Sequence, residues 1–301
     1  MKKLLLTIAV VLSLGLVASA FAQETPQSPT GVKHVVMIGS DGFGAHYVNW
    51  DELPNLKKMK ENGSWTLRTR SVLPSSSAIN WHTLLVGAPS EMHGYRNWNS
   101  QKPEVEPIYL NERGYFPDIF RVIRDAMPDA ILTAVYDWDG IGYCYDQDAA
   151  NESVYVESKK ADDILEIAFR QLDKKPTFAF IYFGDADRVG HGIGWGTPEY
   201  QAMMTETDDH VGKILKHMEE NGMLDDSVVY FVSDHGGSDK GHGEGRLDHM
   251  ETPYVIYGKG IKVGEIKDTF MNFDAPATAL EILGIEQPQC WRGIPADVIK
   301  K

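Results

Sequence analysis

Short apolar runs recur along the chain and alternate with stretches whose apolar positions repeat every three or four residues. Five runs, His34–Ser40, Ala130–Tyr136, Thr177–Phe183, Val228–Ser233 and Pro253–Tyr257, are rich in β-branched and aromatic residues, as strands buried on both faces are. Helical patterns lie between them. Pro54–Glu61 has proline in its first turn and Gly63 just past its end, and Ala161–Leu172 carries a stripe of Ile164, Leu165, Ile167, Ala168 and Leu172. Pro198–Asn221 is the best marked, with Thr197 as N-cap, Pro198 at the first position and Gly222 beyond the end. Its Met203, Met204, Val211, Ile214, Leu215 and Met218 form a core-facing stripe. The alternation predicts a single α/β domain over residues 32–301, a mostly parallel central sheet flanked by helices.

The start of the chain falls outside that pattern. Lys2 and Lys3 precede an apolar run from Leu4 to Val17, followed by the small-residue sites Ala18-Ser19-Ala20 and Ala20-Phe21-Ala22. This is the build of a signal peptide over residues 1–22, and the run is short of the roughly 20 apolar residues that a membrane span needs. Gln23 to Gly31, rich in Gln, Pro, Ser and Thr, reads as a linker. The expectation is an exported protein, periplasmic or secreted, with no stable membrane span after cleavage.

Charge narrows the partners. The 301 residues carry 29 Lys and Arg against 43 Asp and Glu, a net charge of −14, and cleavage would remove two lysines more. Such a surface argues against nucleic-acid binding through a basic patch, but admits a small anionic substrate where metal ions supply a local positive field. The two cysteines, Cys144 and Cys290, lie in no metal-binding or redox spacing, and whether they pair is left open.

Polar residues cluster where the predicted strands end. Asp41 follows the first, Asp185 and Asp187 follow the third, and Asp234 and His235 follow the fourth. Ligand sites of open α/β sheets gather outside the carboxyl ends of strands. Asp41 sits in Ile-Gly-Ser-Asp-Gly-Phe-Gly; a glycine-rich turn could cradle phosphate, but a carboxylate at its centre repels an anion and suits a cation. Asp187-Arg-Val-Gly-His191 places carboxylate and imidazole four apart, with Gly190 allowing a close turn, and His242 follows Asp234-His235-Gly-Gly between two glycines. Each fragment alone can be an ordinary loop. Together, three Asp and three His match a pair of divalent ions, two Zn2+ above all, with Mn2+ as the alternative. Ser77 lies in Pro-Ser-Ser-Ser-Ala-Ile-Asn at the start of a helical stretch, Ala78 to Val86. It reads equally as a helix cap or as a nucleophile beside a metal, with Asn80 one turn on as a donor to a phosphoryl oxygen.

These motifs resemble the alkaline phosphatase superfamily, and within it the nucleotide pyrophosphatase/phosphodiesterase branch. The order is the same: an Asp after the first strand, a Ser three residues before an Asn, Asp-x-x-Gly-His, Asp-His-Gly and a later His. Pro54-Asn55-Leu56, Pro89 to Gly94 and Leu283-Gly284-Ile285 are similar as well. The resemblance implies that Asp41, Ser77, Asp234 and His235 surround one zinc and that Asp187, His191 and His242 hold the other, with His249 as the rival of His242. It assigns His34, His46, His82, His93, His210 and His217 to structure or surface. It also implies double displacement through a phosphoseryl intermediate on a small phosphate ester or nucleotide.

Some features depart from that branch. Ser77 stands where Thr is usual, Ala78-Ile79 replaces Phe-Pro, and the chain is shorter than many members. A sulfatase motif and a Lys-x-Arg segment of the monoesterase kind are absent from the sequence, which favours diesters. The alternatives are a monoesterase with the same metals, a manganese phosphomutase, and a catalytically silent metal-binding module. Oligomeric state is not legible.

Overall fold

The computed structural model describes residues 25–300. The expected signal peptide lies outside the described residues. The strands are β1 (His34–Ser40), β2 (Gly63–Arg70), β3 (Leu132–Tyr136), β4 (Glu152–Tyr155), β5 (Phe178–Phe183), β6 (Ser227–Val232), β7 (Glu251–Gly258), β8 (Gly264–Glu265) and β9 (Phe270–Met271). The α-helices are α1 (Pro54–Glu61), α2 (Ser77–Val86), α3 (Ser90–His93), α4 (Ile119–Ala126), α5 (Ala161–Leu172), α6 (Asp185–Gly192), α7 (Pro198–Glu220), α8 (Leu247–Met250) and α9 (Asp274–Leu283). One sheet takes all the strands in the order β4-β3-β5-β1-β6-β7-β2-β8, with β9 also on β2.

The middle of the sheet is parallel: β1 lies between β5 and β6, and β3 continues beyond β5. Alternation along these strands builds a core on each face. Val35 and Met37 of β1, Phe178 and Phe180 of β5, and Val228 and Tyr230 of β6 pack with α2, α4 and α9. Val36, Ile38, Ala179, Ile181, Val229 and Phe231 pack with α1, α5 and α7 on the other face. Since both faces are covered, the strands read as continuous apolar runs.

Two expectations are corrected. The run Pro253–Tyr257 belongs to β7, which is antiparallel to both neighbours. Pro253 is tolerated there because pairing with β6 begins only at Tyr254, while the ladder with β2 is irregular between Thr66 and Thr69. The stretch Asp187–His191 is no turn but part of α6. Gly190 is needed there for packing: a Cβ would come within 2.5 Å of the Trp195 ring.

α1 and α5 occupy their expected residues and α7 nearly so, capped by Thr197 Oγ1 accepting from Tyr200 N. Cys144 and Cys290 are both free thiols, Cys144 buried. Among the described residues no helix is long and apolar enough to cross a membrane.

Candidate metal centre and catalytic site

Neighbouring strands β5, β1 and β6 end at the same sheet edge, and each hands a polar residue to it. Asp41 follows β1 directly, Asp234 and His235 follow β6 after Ser233, and Asp187 lies in the first turn of α6, just after β5. Ser77 opens α2 after the extended residue Ser76. Helical spacing in α6 sets His191 four residues from Asp187, with Nε2 3.6 Å from Asp187 Oδ1. His242 returns to the same carboxylate, with Nε2 3.7 Å from Asp187 Oδ1 and 3.0 Å from His191 Nε2. Its ring stacks on that of His235 at 3.8 Å.

The donor atoms form two groups: Asp41, Asp234 and His235, and Asp187, His235 and His242. His235 thus stands close enough to serve either. Its Nδ1 faces the Gly236 carbonyl at 2.8 Å, while Nε2 lies 3.2 Å from Asp234 Oδ2, 3.5 Å from Asp41 Oδ1 and 3.2 Å from Ser77 Oγ. His191 Nδ1 and His242 Nδ1 likewise face the carbonyls of Lys240 and Ser75 at 3.0 and 2.9 Å. A carbonyl accepts only, so each Nδ1 carries the proton and each Nε2 turns a lone pair inward. Imidazole Nε2 atoms and carboxylate oxygens therefore converge on the same small space, and Asp187 Oδ1 and Asp234 Oδ2 are buried without a partner. A buried acceptor without a donor is costly. Cations would satisfy all of these atoms at once, and the mixed nitrogen and oxygen set suits zinc-like ions.

Electrostatics agree with this reading. Burial and the neighbouring Asp41 raise the Asp187 carboxyl to about 8, and burial pushes Asp41 and Asp234 up as well. Burial lowers His242 to about 4 and holds His235 well below the usual imidazole range. Those two imidazoles stay neutral, as ligands must be, and the raised carboxyls show that gathering their negative charge here is unfavourable until a cation joins them.

The predicted residues do not all converge. Asp41, Ser77, Asp187, His191, Asp234, His235 and His242 do. Asn80 does not: its Oδ1 accepts from Val72 N, and its Nδ2 donates to the carbonyls of Val72, Pro74 and Ser76. It is fully buried and ties down the loop before Ser77 instead of reaching a phosphoryl oxygen. His249 is spent elsewhere, on Ser238 Oγ through Nε2 and Glu244 N through Nδ1.

A cavity of about 690 Å3 opens above Ser77 and Asp187, large enough for a molecule of nucleotide size. Sequence reasoning passed over its walls: Arg96, Asn97 and Trp98 from the loop after α3, Trp138 after β3, Lys159, and Arg188. Arg188 is held by Asp137 and Asp185, which accounts for Asp185 lying outside the donor cluster. No spacing motif announces these residues; the loops bring them in from distant parts of the chain.

The sheet order and the paired donor groups beside a helix-initiating serine define an alkaline-phosphatase-like α/β domain. The family model for type I phosphodiesterase / nucleotide pyrophosphatase matches residues 35–253, and the chain belongs to that family. Among curated relatives, rat ectonucleotide pyrophosphatase/phosphodiesterase family member 3 is 25% identical over 73% of this chain and 26% of its own length. An uncharacterised pyrophosphatase/phosphodiesterase of Schizosaccharomyces pombe is 26% identical over 67% of this chain and 44% of its own. The chain thus spans less than half the length of these relatives.

Solved structures share the fold. Human ectonucleotide pyrophosphatase / phosphodiesterase 5 superposes with a TM-score of 0.73 at 13% identity, covering 89% of this chain and all of that one. The murine protein, solved as an inactive variant in complex with AMP, gives 0.71 at 13% identity over 88% of this chain and 97% of that one.

Proposed function

We propose that the chain is an exported, metal-dependent hydrolase of phosphate esters, a phosphodiesterase or nucleotide pyrophosphatase that works through a phosphoseryl intermediate on Ser77. The observation that carries this reading is the setting of Ser77. Its Oγ stands at the start of α2, 3.2 Å from His235 Nε2 and 3.5 Å from Asp41 Oδ1, under the cavity. Asp41, Ser77, Asp234 and His235 would hold one ion, and Asp187, His191 and His242 a second, with zinc favoured over manganese by the imidazole content. When bound, such ions supply the positive charge that lowers the pKa of a hydroxyl and offsets charge on the phosphoryl oxygens.

The chain's own groups do the rest. Ser77 gives its proton to solvent and its oxygen bonds to phosphorus, while the bond from phosphorus to the leaving oxygen breaks and the leaving group departs, taking up a proton from solvent. Water then cleaves the phosphoserine and restores the hydroxyl. The Ala78 N–H is committed to the Trp98 carbonyl at 3.0 Å, so a phosphoryl oxygen is left to the Ser77 N–H at the helix start and to the Asn97 carboxamide on the cavity wall. Trp98 and Trp138 line the cavity and give it aromatic surface suited to a planar leaving group such as a nucleobase. The family match supports this reaction class, and the signal-like start supports export.

The test compares matched aryl phosphate diesters and monoesters with zinc-loaded protein before and after chelation. Diester preference that chelation abolishes and zinc restores is expected. Preference for the monoester would move the enzyme to the phosphatase side with the same site, and turnover untouched by chelation would sink the metal-dependent scheme.

A further inference from the structure

The two oxygens of the buried Asp41 carboxylate face different surroundings. Oδ2 accepts two hydrogen bonds, from the Trp81 indole N–H at 2.9 Å and the Tyr182 hydroxyl at 2.5 Å. Oδ1 has only the long contact with Ser77 Oγ and stands 3.5 Å from His235 Nε2, facing the donor cluster. The two donors come from different elements, α2 and β5, and are buried to within 1% of full enclosure. Their rings meet edge to face at 5.1 Å. Trp81 also presses on β1 itself, for a Cβ at Gly39 would come within 2.6 Å of its ring. Neither donor has room to turn away.

We propose that Trp81 and Tyr182 are positioning residues that commit Asp41 Oδ2 and so make Asp41 a one-oxygen metal ligand through Oδ1. The proposal rests on Asp41 being a metal ligand. A carboxylate free at both oxygens can chelate an ion with both or rotate between them; two fixed donors on one oxygen remove that freedom. Outer partners of this kind typically change metal affinity by about 10- to 100-fold. The arrangement also reaches the nucleophile, because Trp81 lies one helical turn after Ser77 on α2. Holding Asp41 to Trp81 therefore sets the distance between ligand and serine.

Tyr182→Phe removes one hydroxyl, and Trp81→Phe removes the indole N–H. Zinc affinity of the chelator-treated full chain is measured by competition with a chromophoric chelator, beside the zinc dependence of diester hydrolysis. Each variant is expected to bind zinc about 10- to 100-fold more weakly and to recover most of its turnover at saturating zinc. If Trp81→Phe fails to fold, Tyr182→Phe decides. Zinc affinity within twofold of wild type in the folded variants overturns the positioning role and leaves the metal reading standing. A wild-type chain that takes up no divalent ion overturns the metal reading, and this proposal with it.

Discussion

Replacing Asn80 by alanine would remove the side-chain partners of the Val72 N–H and carbonyl in the interior, while the carbonyls of Pro74 and Ser76 would keep only their backbone donors, Ser76 N and Asn80 N. The expected cost is about 2–4 kcal/mol, read by urea denaturation of the metal-free chain. Asn97 should behave in the opposite way. It is exposed at the cavity wall, so Asn97→Ala should keep stability within about 0.5 kcal/mol while lowering kcat/KM on a diester by about 100-fold or more. Stability loss in the second variant, or unchanged kinetics, would remove Asn97 from the reaction. The contrast shows what spacing carries. Ser77 and Asn80 lie one helical turn apart, which places them near each other without saying which hydrogen bonds a carboxamide completes. Asn97 reaches the cavity only because the chain folds back after Gly94, and no local pattern records that return.

Elements were legible where an apolar run, a helical stripe or a clear start and stop signal marks them. Burial alone was no guide: α9 is buried along nearly its whole length yet carries no such mark. β1, α1 and α5 stand at their expected residues, since β1 is a continuous apolar run, α1 has proline in its first turn and glycine just past its end, and α5 carries a full helical stripe. β2 alternates buried and part-exposed residues and contains three charged or hydroxyl side chains in its last three positions, and β4 is a short, partly exposed edge strand. Neither shows the apolar run that marks a buried strand. α6 was masked by Gly190 and Gly192, which weaken a helical signature. Here magnitudes decide an outcome: Gly190→Ala gains up to about 1 kcal/mol in helix propensity but sets a Cβ 2.5 Å from Trp195, an overpacking that costs about 1–3 kcal/mol. Net destabilisation is expected in thermal melts, with weaker zinc binding because α6 carries both Asp187 and His191. A stabilised variant would show that Trp195 yields freely.

At the scale of the whole molecule, a site built from repelling carboxylates ties stability to pH and metal. In the metal-free chain Asp187 holds its proton up to about pH 8, whereas in the unfolded chain it has lost it well below pH 6.5. The folded state therefore binds more protons, and stability falls as pH rises. Below about pH 6.5 the lowered His242 and His235 act the other way, since their unfolded forms take up protons that the folded forms refuse. The clean window is thus about pH 6.5 to 8, where the melting temperature of the chelated protein should fall with pH and that of the zinc-loaded protein should not. Asp187→Asn should flatten the slope, and a slope that survives would place its origin elsewhere. The same assembly of distant segments around one sheet edge brings Ser77 to the donor cluster, and the proposed reaction turns on that serine as nucleophile. The most direct measurement is diester hydrolysis by zinc-loaded Ser77→Ala beside wild type, with bound zinc counted in both. Turnover lower by about a thousandfold or more, with zinc content largely kept, is the predicted result; near-wild-type turnover in the variant would contradict it.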